Sequence, residues 1–90
     1  MKNILVTTKH RGVWFAQVEE GADLSDKTLK TLKNCRMAIK WGTTNGIQQL
    51  ANTGVTDRTK VSEPSDIEIL HDVTAVFSVT DKAAATWLKK

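Results

Sequence analysis

Two short runs of apolar and β-branched residues open the chain on either side of a polar turn. The runs Lys2–Thr8 and Val13–Val18 have the composition of strands, and residues 9–12 between them predict a hairpin. Gly12 is expected to form the turn, because glycine adopts a positive φ at little cost. The second strand is apolar on both faces, so we expect both to be covered, either by the domain itself or by a partner subunit.

The next apolar segment carries two competing patterns. Leu29, Leu32 and Arg36 recur at roughly helical spacing. The alternative is a strand, with one face made of Leu29, Cys35, Met37, Ile39 and Trp41. We predict a strand for residues 35–41, and for residues 28–33 we favour a strand over a short helical turn.

The second half of the chain predicts two helices around further strands. Residues 47–51 have the i, i+3, i+4 spacing of a short helix, with Thr44 or Asn45 as its N-cap and Gly54 as its stop. A short edge strand is expected at Val61.

Residues 67–79 alternate as one long strand, or as two strands with a bend near His71 and Asp72. His71 shares the parity of the core residues, so we expect it to be half-buried. Thr80 or Asp81 should cap a final helix, which Trp87 would hold against the sheet.

About five strands and two short helices, joined by short links, predict an α+β fold with antiparallel pairing. We expect a strongly bent sheet that resembles a small barrel, with the last helix closing one end. The length fits a single domain over residues 1–90.

The composition limits the kinds of partner and the cellular location that we expect for this protein. The net charge is +3, which is compatible with a phosphate-bearing partner but weak for a nucleic-acid binder. Cys35 is the only cysteine, so no internal disulfide can form, and no segment has the length of a membrane span. We therefore expect a cytoplasmic protein.

Catalysis is not indicated. Cys35 lies in an apolar strand pattern, His10 falls in a turn, and no pair of ligands has the spacing of a zinc site. We predict no catalytic residue, no metal and no cofactor.

Residues 41–46 are the first candidate ligand site. Trp41 ends a strand, and the polar run that includes Thr43 and Thr44 opens a helix. Free backbone N–H groups at a helix start attract phosphate, and a tryptophan beside them offers a stacking surface for a base. The alternative reading is a capped helix that follows a core tryptophan.

A set of cations is the second candidate. Arg11 lies three residues before Trp14, a spacing that could pair phosphate recognition with stacking, and Arg58 and Lys60 lie in a turn-like segment. Lys9 and Lys40 belong to the same set, and the alternative reading is a solvated positive face.

Residues 6–15, Val-Thr-Thr-Lys-His-Arg-Gly-Val-Trp-Phe, resemble the T-x-H-R-G-V-F-F signature of a family of short bacteriophage proteins. Residues 32–36 and 72–76 fit the same family, so the resemblance extends over nearly the whole chain. The sequence departs from it at Trp14, where phenylalanine is usual, and at Lys40, where an aromatic is common. The resemblance implies a phage accessory protein that counters host defences in the host cytoplasm.

Three functions follow as hypotheses. The favoured one is a homo-oligomer that sequesters a small phosphate-bearing ligand, such as a cyclic nucleotide, without catalysis. Its predicted ligand-binding residues are Arg11, Trp14, Trp41, Thr43, Thr44, Arg58 and Lys60. The alternatives are an inhibitor that blocks a host defence protein by direct contact, in the manner of an anti-CRISPR protein, and a weak nucleic-acid binder.

Overall fold

The computed structural model describes residues 1–9, 12–40, 47–57 and 59–90, with Lys40 described by its backbone alone. This part of the chain contains six strands and two helices. In chain order they are β1 (Lys2–Thr8), β2 (Val13–Val18), β3 (Leu29–Lys40), α1 (Ile47–Asn52), β4 (Lys60–Val61), β5 (Ser65–Leu70), β6 (Val73–Ser78) and α2 (Asp81–Lys89). The predicted α+β class is confirmed.

The sheet has the order β4-β3-β2-β1-β6, with β5 also paired to β3, and every pairing is antiparallel. The barrel part of the prediction is wrong, because the sheet is not closed. The break lies at His71 and Asp72, where the chain leaves β5 beside β3 and starts β6 beside β1. Asp72 has a φ of 58°, which turns the chain from one strand into the other.

Two residues with positive φ and one bulge explain the ambiguous pattern in β3. Thr31 and Asn34 have φ values of 57° and 51°, and the register with β5 shifts between Leu32 and Cys35. Leu29, Leu32 and Cys35 therefore share one face at a spacing of three residues, which imitates a helix. The prediction of a strand over residues 28–33 is confirmed.

The hairpin of β1 and β2 separates two apolar cores. Cluster A lies on the helix side; its buried members are Leu5, Val13, Phe15, Ala38, Leu50, Ala51, Ala84 and Trp87. Cluster B lies on the other side; its buried members are Ile4, Val6, Ala16, Val18, Leu29, Leu32 and Cys35. The first half of β3, together with β5, folds over this second face. Both faces of the hairpin are thus covered by residues of the same chain, and a partner subunit is not needed to cover either face.

Two predicted helix boundaries are confirmed, the end of α1 and the start of α2, whereas the predicted N-cap of α1, Thr44 or Asn45, lies outside the described residues. Gly54 follows α1 with a φ of 98°, and its N–H donates to Gln49 O at 2.8 Å. Thr80 is the N-cap of α2, where its Oγ1 accepts from Ala83 N at 3.1 Å. Trp87 is fully buried and holds α2 on the sheet.

One expectation for a single residue is wrong. His71 is exposed rather than half-buried, because the chain turns between strands at this point. Ile39, which the sequence places on one face of β3 with Cys35 and Met37, is 63% exposed, since cluster B ends before this residue.

Candidate functional site

The tip of the β1–β2 hairpin is built around a close approach at Gly12. Thr8 N donates to Gly12 O at 2.9 Å, and Gly12 N donates to Thr8 Oγ1 at 3.1 Å. A Cβ on Gly12 would lie 2.6 Å from Thr8 Oγ1 and 3.0 Å from Trp14 Nε1. The prediction of a positive φ is wrong, because Gly54 is the described glycine that has one. Glycine is needed here for space.

Trp14 rests against this glycine and is partly open to solvent. It pairs with Val6 on β1 and with Met37 on β3, and its ring packs against the edge of cluster B. Among the described residues, no hydrogen bond to its indole N–H is present. The side chain therefore has a buried side that fixes it and an exposed part that a planar ligand could contact.

Lys60 lies at the same end of the sheet as Trp14. β2 and β4 flank the last part of β3, where Trp14 pairs with Met37 and Lys60 with Lys40. Val61 packs against cluster A, and Lys60 is exposed beside it, where the register of β4 with β3 shifts between Ala38 and Lys40.

Two more described residues complete this surface. Lys9 is exposed at the hairpin tip, where its backbone N–H donates to Asp72 O at 2.9 Å. Ile39 follows Met37 on the face of Trp14. We call the surface formed by Lys9, Gly12, Trp14, Ile39 and Lys60 the basic end.

Most of the predicted ligand-binding residues cannot be placed on this surface. Arg11, Trp41, Thr43, Thr44 and Arg58 lie outside the described residues. In the sequence, Arg11 is two positions before β2, Trp41 directly follows β3, and Arg58 is two positions before β4. The structure brings Trp14 and Lys60 to one end of the sheet, on either side of β3.

A second cationic feature lies at the C-terminal end of α2. Lys89 and Lys90 line an open cleft of about 300 Å³ together with Thr86 and the segment from Val55 to Asp57. No ligand was predicted for this helix end.

The larger cleft, of about 630 Å³, has the opposite charge. It lies between the loop that follows β2 and the start of β3, and its carboxylates are Glu19, Asp23 and Asp26. Hydrogen bonds from the hydroxyl and the backbone N–H of Ser25 lower the pKa of Asp23, which keeps this carboxylate ionised near neutral pH. A phosphate would be repelled here.

Arg36 is a buried cation that sequence reasoning missed. Its Nε donates to Ser62 O at 2.9 Å, and its Nη1 donates to Trp87 O at 3.2 Å. Both acceptors are backbone carbonyls, and Trp87 O lies in the last turn of α2, where positive charge is favourable. Arg36 thus connects β3 to the segment after β4 and to the end of α2. Its role is to stabilise the fold.

A family model described as a domain of unknown function (DUF6948) matches residues 1–87. The chain belongs to this family. Searches among curated proteins and among solved structures found no match.

Cys35 and His71 are the cysteine and the histidine in the described part of this DUF6948 chain. Burial raises the pKa of the Cys35 thiol, so its nucleophilic thiolate is disfavoured. His71 Nδ1 lies 3.3 Å from Thr28 Oγ1 in an exposed turn. Within residues 1–9, 12–40, 47–57 and 59–90, no group of three His, Cys, Asp or Glu side chains could hold a metal, and neither helix is long and apolar enough to cross a membrane.

Proposed function

We propose that this protein binds and sequesters a small phosphate-bearing ligand, such as a cyclic nucleotide, at the basic end. The observation that carries the proposal is the partly exposed indole of Trp14, held against Gly12 at the sheet end where Lys60 is exposed. An aromatic face beside a flexible cation suits a base next to a phosphate.

The energies of the individual contacts show that the site needs more than Trp14 and Lys60. Stacking of a base on Trp14 is worth about 1–3 kcal/mol, and each charged hydrogen bond about 1.5–3 kcal/mol. A ligand held at micromolar affinity needs about 8 kcal/mol after the cost of association. Trp14 and Lys60 alone fall short, so the proposal includes donors from Arg11, Arg58 and the residues Thr43 and Thr44, with Trp41 as a second stacking surface.

The ligand is held without chemistry. The thiol of Cys35 is buried in cluster B. The described part of this surface presents the exposed Lys9 and Lys60 as binding groups. Sequestration requires only that the ligand be bound tightly enough to lower its free concentration.

The biological setting rests on the resemblance to short bacteriophage proteins. A phage protein that removes a cyclic-nucleotide signal from the host cytoplasm would suppress the defence that depends on it. This role requires no partner subunit at the hairpin, because the chain covers both of its faces.

Calorimetric titration with cyclic dinucleotides, cyclic trinucleotides and inorganic phosphate tests the proposal. We expect heat with at least one cyclic nucleotide, and a loss of affinity of roughly tenfold or more in Lys60→Gln, since one charged contact is removed. Lys30→Gln is the matched control, because Lys30 is an exposed lysine at the other end of β3 and should leave the affinity unchanged. Absence of heat with every nucleotide would refute the proposal.

The aromatic contact has its own pair of variants. Trp14→Phe keeps a ring that can stack, and phenylalanine is usual at this position in the phage family. Trp14→Val removes the ring. We expect the first to bind and the second to lose most of its affinity; equal affinities would show that Trp14 does not touch the ligand.

One observation favours the second candidate function, direct blocking of a host protein. Ile39 is 63% exposed within the basic end, and an apolar side chain with cations around it is a common feature of protein interfaces. Ile39→Lys should then prevent capture of a stoichiometric host protein. Retained capture would exclude this surface.

A further inference from the structure

The two outer edges of the sheet differ in how they are protected against pairing. The edge formed by β4 and β5 carries Lys60, Asp66 and Glu68, and Pro64 lies between the two strands. Charged residues and proline are the usual means of keeping an edge strand from pairing with another chain. The edge formed by β6 has the sequence Val-Thr-Ala-Val-Phe-Ser, without charge, proline or glycine.

The hydrogen-bond pattern shows which atoms of β6 face outward. Val79 N donates to Asn3 O at 3.3 Å, and the register continues as Leu5 with Phe77 and Thr7 with Ala75. Antiparallel pairs alternate between those that exchange hydrogen bonds and those that do not. The N–H and C=O groups of the intervening residues, Val76 and Ser78, therefore point away from β1. In the described part of the chain, β6 has no second strand partner.

We propose that β6 pairs antiparallel with β6 of a second copy of this chain across a twofold axis. Val76 of each copy exchanges N–H···O bonds with Ser78 of the other, and the two Phe77 side chains meet at the axis. This register brings no like charges together, because β6 carries none. In this twofold arrangement the same edge of each copy supplies the hydrogen-bonding groups. Both β6 edges are then used, so the assembly contains two chains.

The bulge at the start of β6 limits the length of the pairing. The register with β1 shifts between Thr7 and Thr8, opposite the segment from Val73 to Ala75. Val73 N also donates to Lys27 O at 2.9 Å, so this end of β6 is already occupied. The pairing is confined to Val76, Phe77 and Ser78, and the dimer dissociates on dilution.

Sedimentation equilibrium over a range of micromolar concentrations tests the pairing. The wild-type mass should rise from 10.0 kDa toward twice that value. Ser78→Lys places a charge on the exposed edge and should hold the mass at 10.0 kDa. Ser65→Lys makes the same change at an exposed serine of the other edge and should leave the doubled mass intact.

Amide hydrogen exchange provides a second measurement on the unaltered protein. The N–H groups of Val76 and Ser78 should exchange more slowly as the concentration rises, whereas the exposed N–H groups of β5 should not change. A wild-type protein that stays at 10.0 kDa at every concentration overturns the proposal. A doubled mass that survives Ser78→Lys, or that Ser65→Lys removes, also overturns it.

Discussion

Cluster A and cluster B lie back to back on the same hairpin, yet they are closed in different ways. Cluster A is closed by helices with directional contacts: Trp87 stacks on Phe15 with ring centroids 5.5 Å apart, and its Nε1 donates to Leu50 O at 3.0 Å. Cluster B is closed by the bulged strand β3, and its buried members are aliphatic side chains and one thiol. Cluster A therefore depends on a few specific side chains, whereas cluster B depends on the path of the backbone.

Trp87→Ala should have the largest effect on stability. It removes the stacking partner of Phe15, the bond to Leu50 O and the largest buried side chain of the described core. We expect a loss of about 3–5 kcal/mol in the free energy of unfolding. Urea denaturation measures it, with Leu88→Ala as the control, because Leu88 is on the same helix and is 49% exposed. Similar losses in both variants would contradict the role assigned to Trp87.

Leu32→Ala tests cluster B at a cost of about 2–5 kcal/mol. Leu32 lies between Thr31 and Asn34, the two residues of β3 with positive φ, and is fully buried. Cys35 is buried in the same cluster, so its rate of reaction with a thiol reagent reports opening of this face. We expect Leu32→Ala to accelerate labelling more than Trp87→Ala does at equal global stability. Equal acceleration would mean that the two clusters open as one unit.

Gly54→Ala should destabilise cluster A through the backbone. The residue has a φ of 98°, and an added Cβ would collide with the hydroxyl of Thr86 and lie 3.0 Å from Ala83 Cα. The strained conformation alone costs about 1–3 kcal/mol. Gly21→Ala is the matched control, since a Cβ there meets nothing within 4 Å. Thermal denaturation should show a lower midpoint for the first variant, and an unchanged midpoint would argue against this C-cap.

Asp66→Asn should have the smallest effect and should depend on pH. Asn34 N, at a bulge of β3, donates to Asp66 Oδ1 at 3.1 Å. This bond, aided by Lys33, lowers the pKa of Asp66 below its ordinary value of 3.8. The ionised carboxylate therefore stabilises the fold above that value, and the stabilisation is lost as the pH falls through the lowered pKa.

Denaturation at several pH values checks this effect. The difference in the free energy of unfolding between wild type and Asp66→Asn should be largest near neutral pH and should become smaller in acid. Asp23→Asn is the control, because its carboxylate bonds to Ser25 in the loop after β2. The Asp66 variant alone should increase the labelling of Cys35. A difference that does not change with pH would show that the charge of Asp66 does not act on the bulge.

The helix side of the fold could be predicted from sequence because its signals are local. Thr80 precedes an apolar stripe that contains Trp87, and Gly54 follows a short segment with helical spacing of apolar residues. The helix caps and the buried helix faces can therefore be predicted from neighbouring residues. The strand side was harder. Thr31 and Asn34 adopt positive φ values, and a β-branched residue such as threonine gives no warning of that conformation.

The candidate site was predictable only in part. Trp14 stood out because an aromatic followed a glycine in a hairpin, and Lys60 because it lay in a polar turn. Arg36 was missed, since a charged residue in a strand is normally assigned to solvent. Only the chain path reveals that the carbonyls of Ser62 and Trp87 converge on it.

The position of β1 in the sheet has a consequence for how the protein is made. This first strand needs β6 as its neighbour, and the sheet beside it needs Trp87 on one side and β5 on the other. A ribosome delivers those segments after the hairpin. The nascent hairpin therefore exposes apolar side chains on both faces until β5, β6 and α2 have emerged, and its long-range contacts form only then.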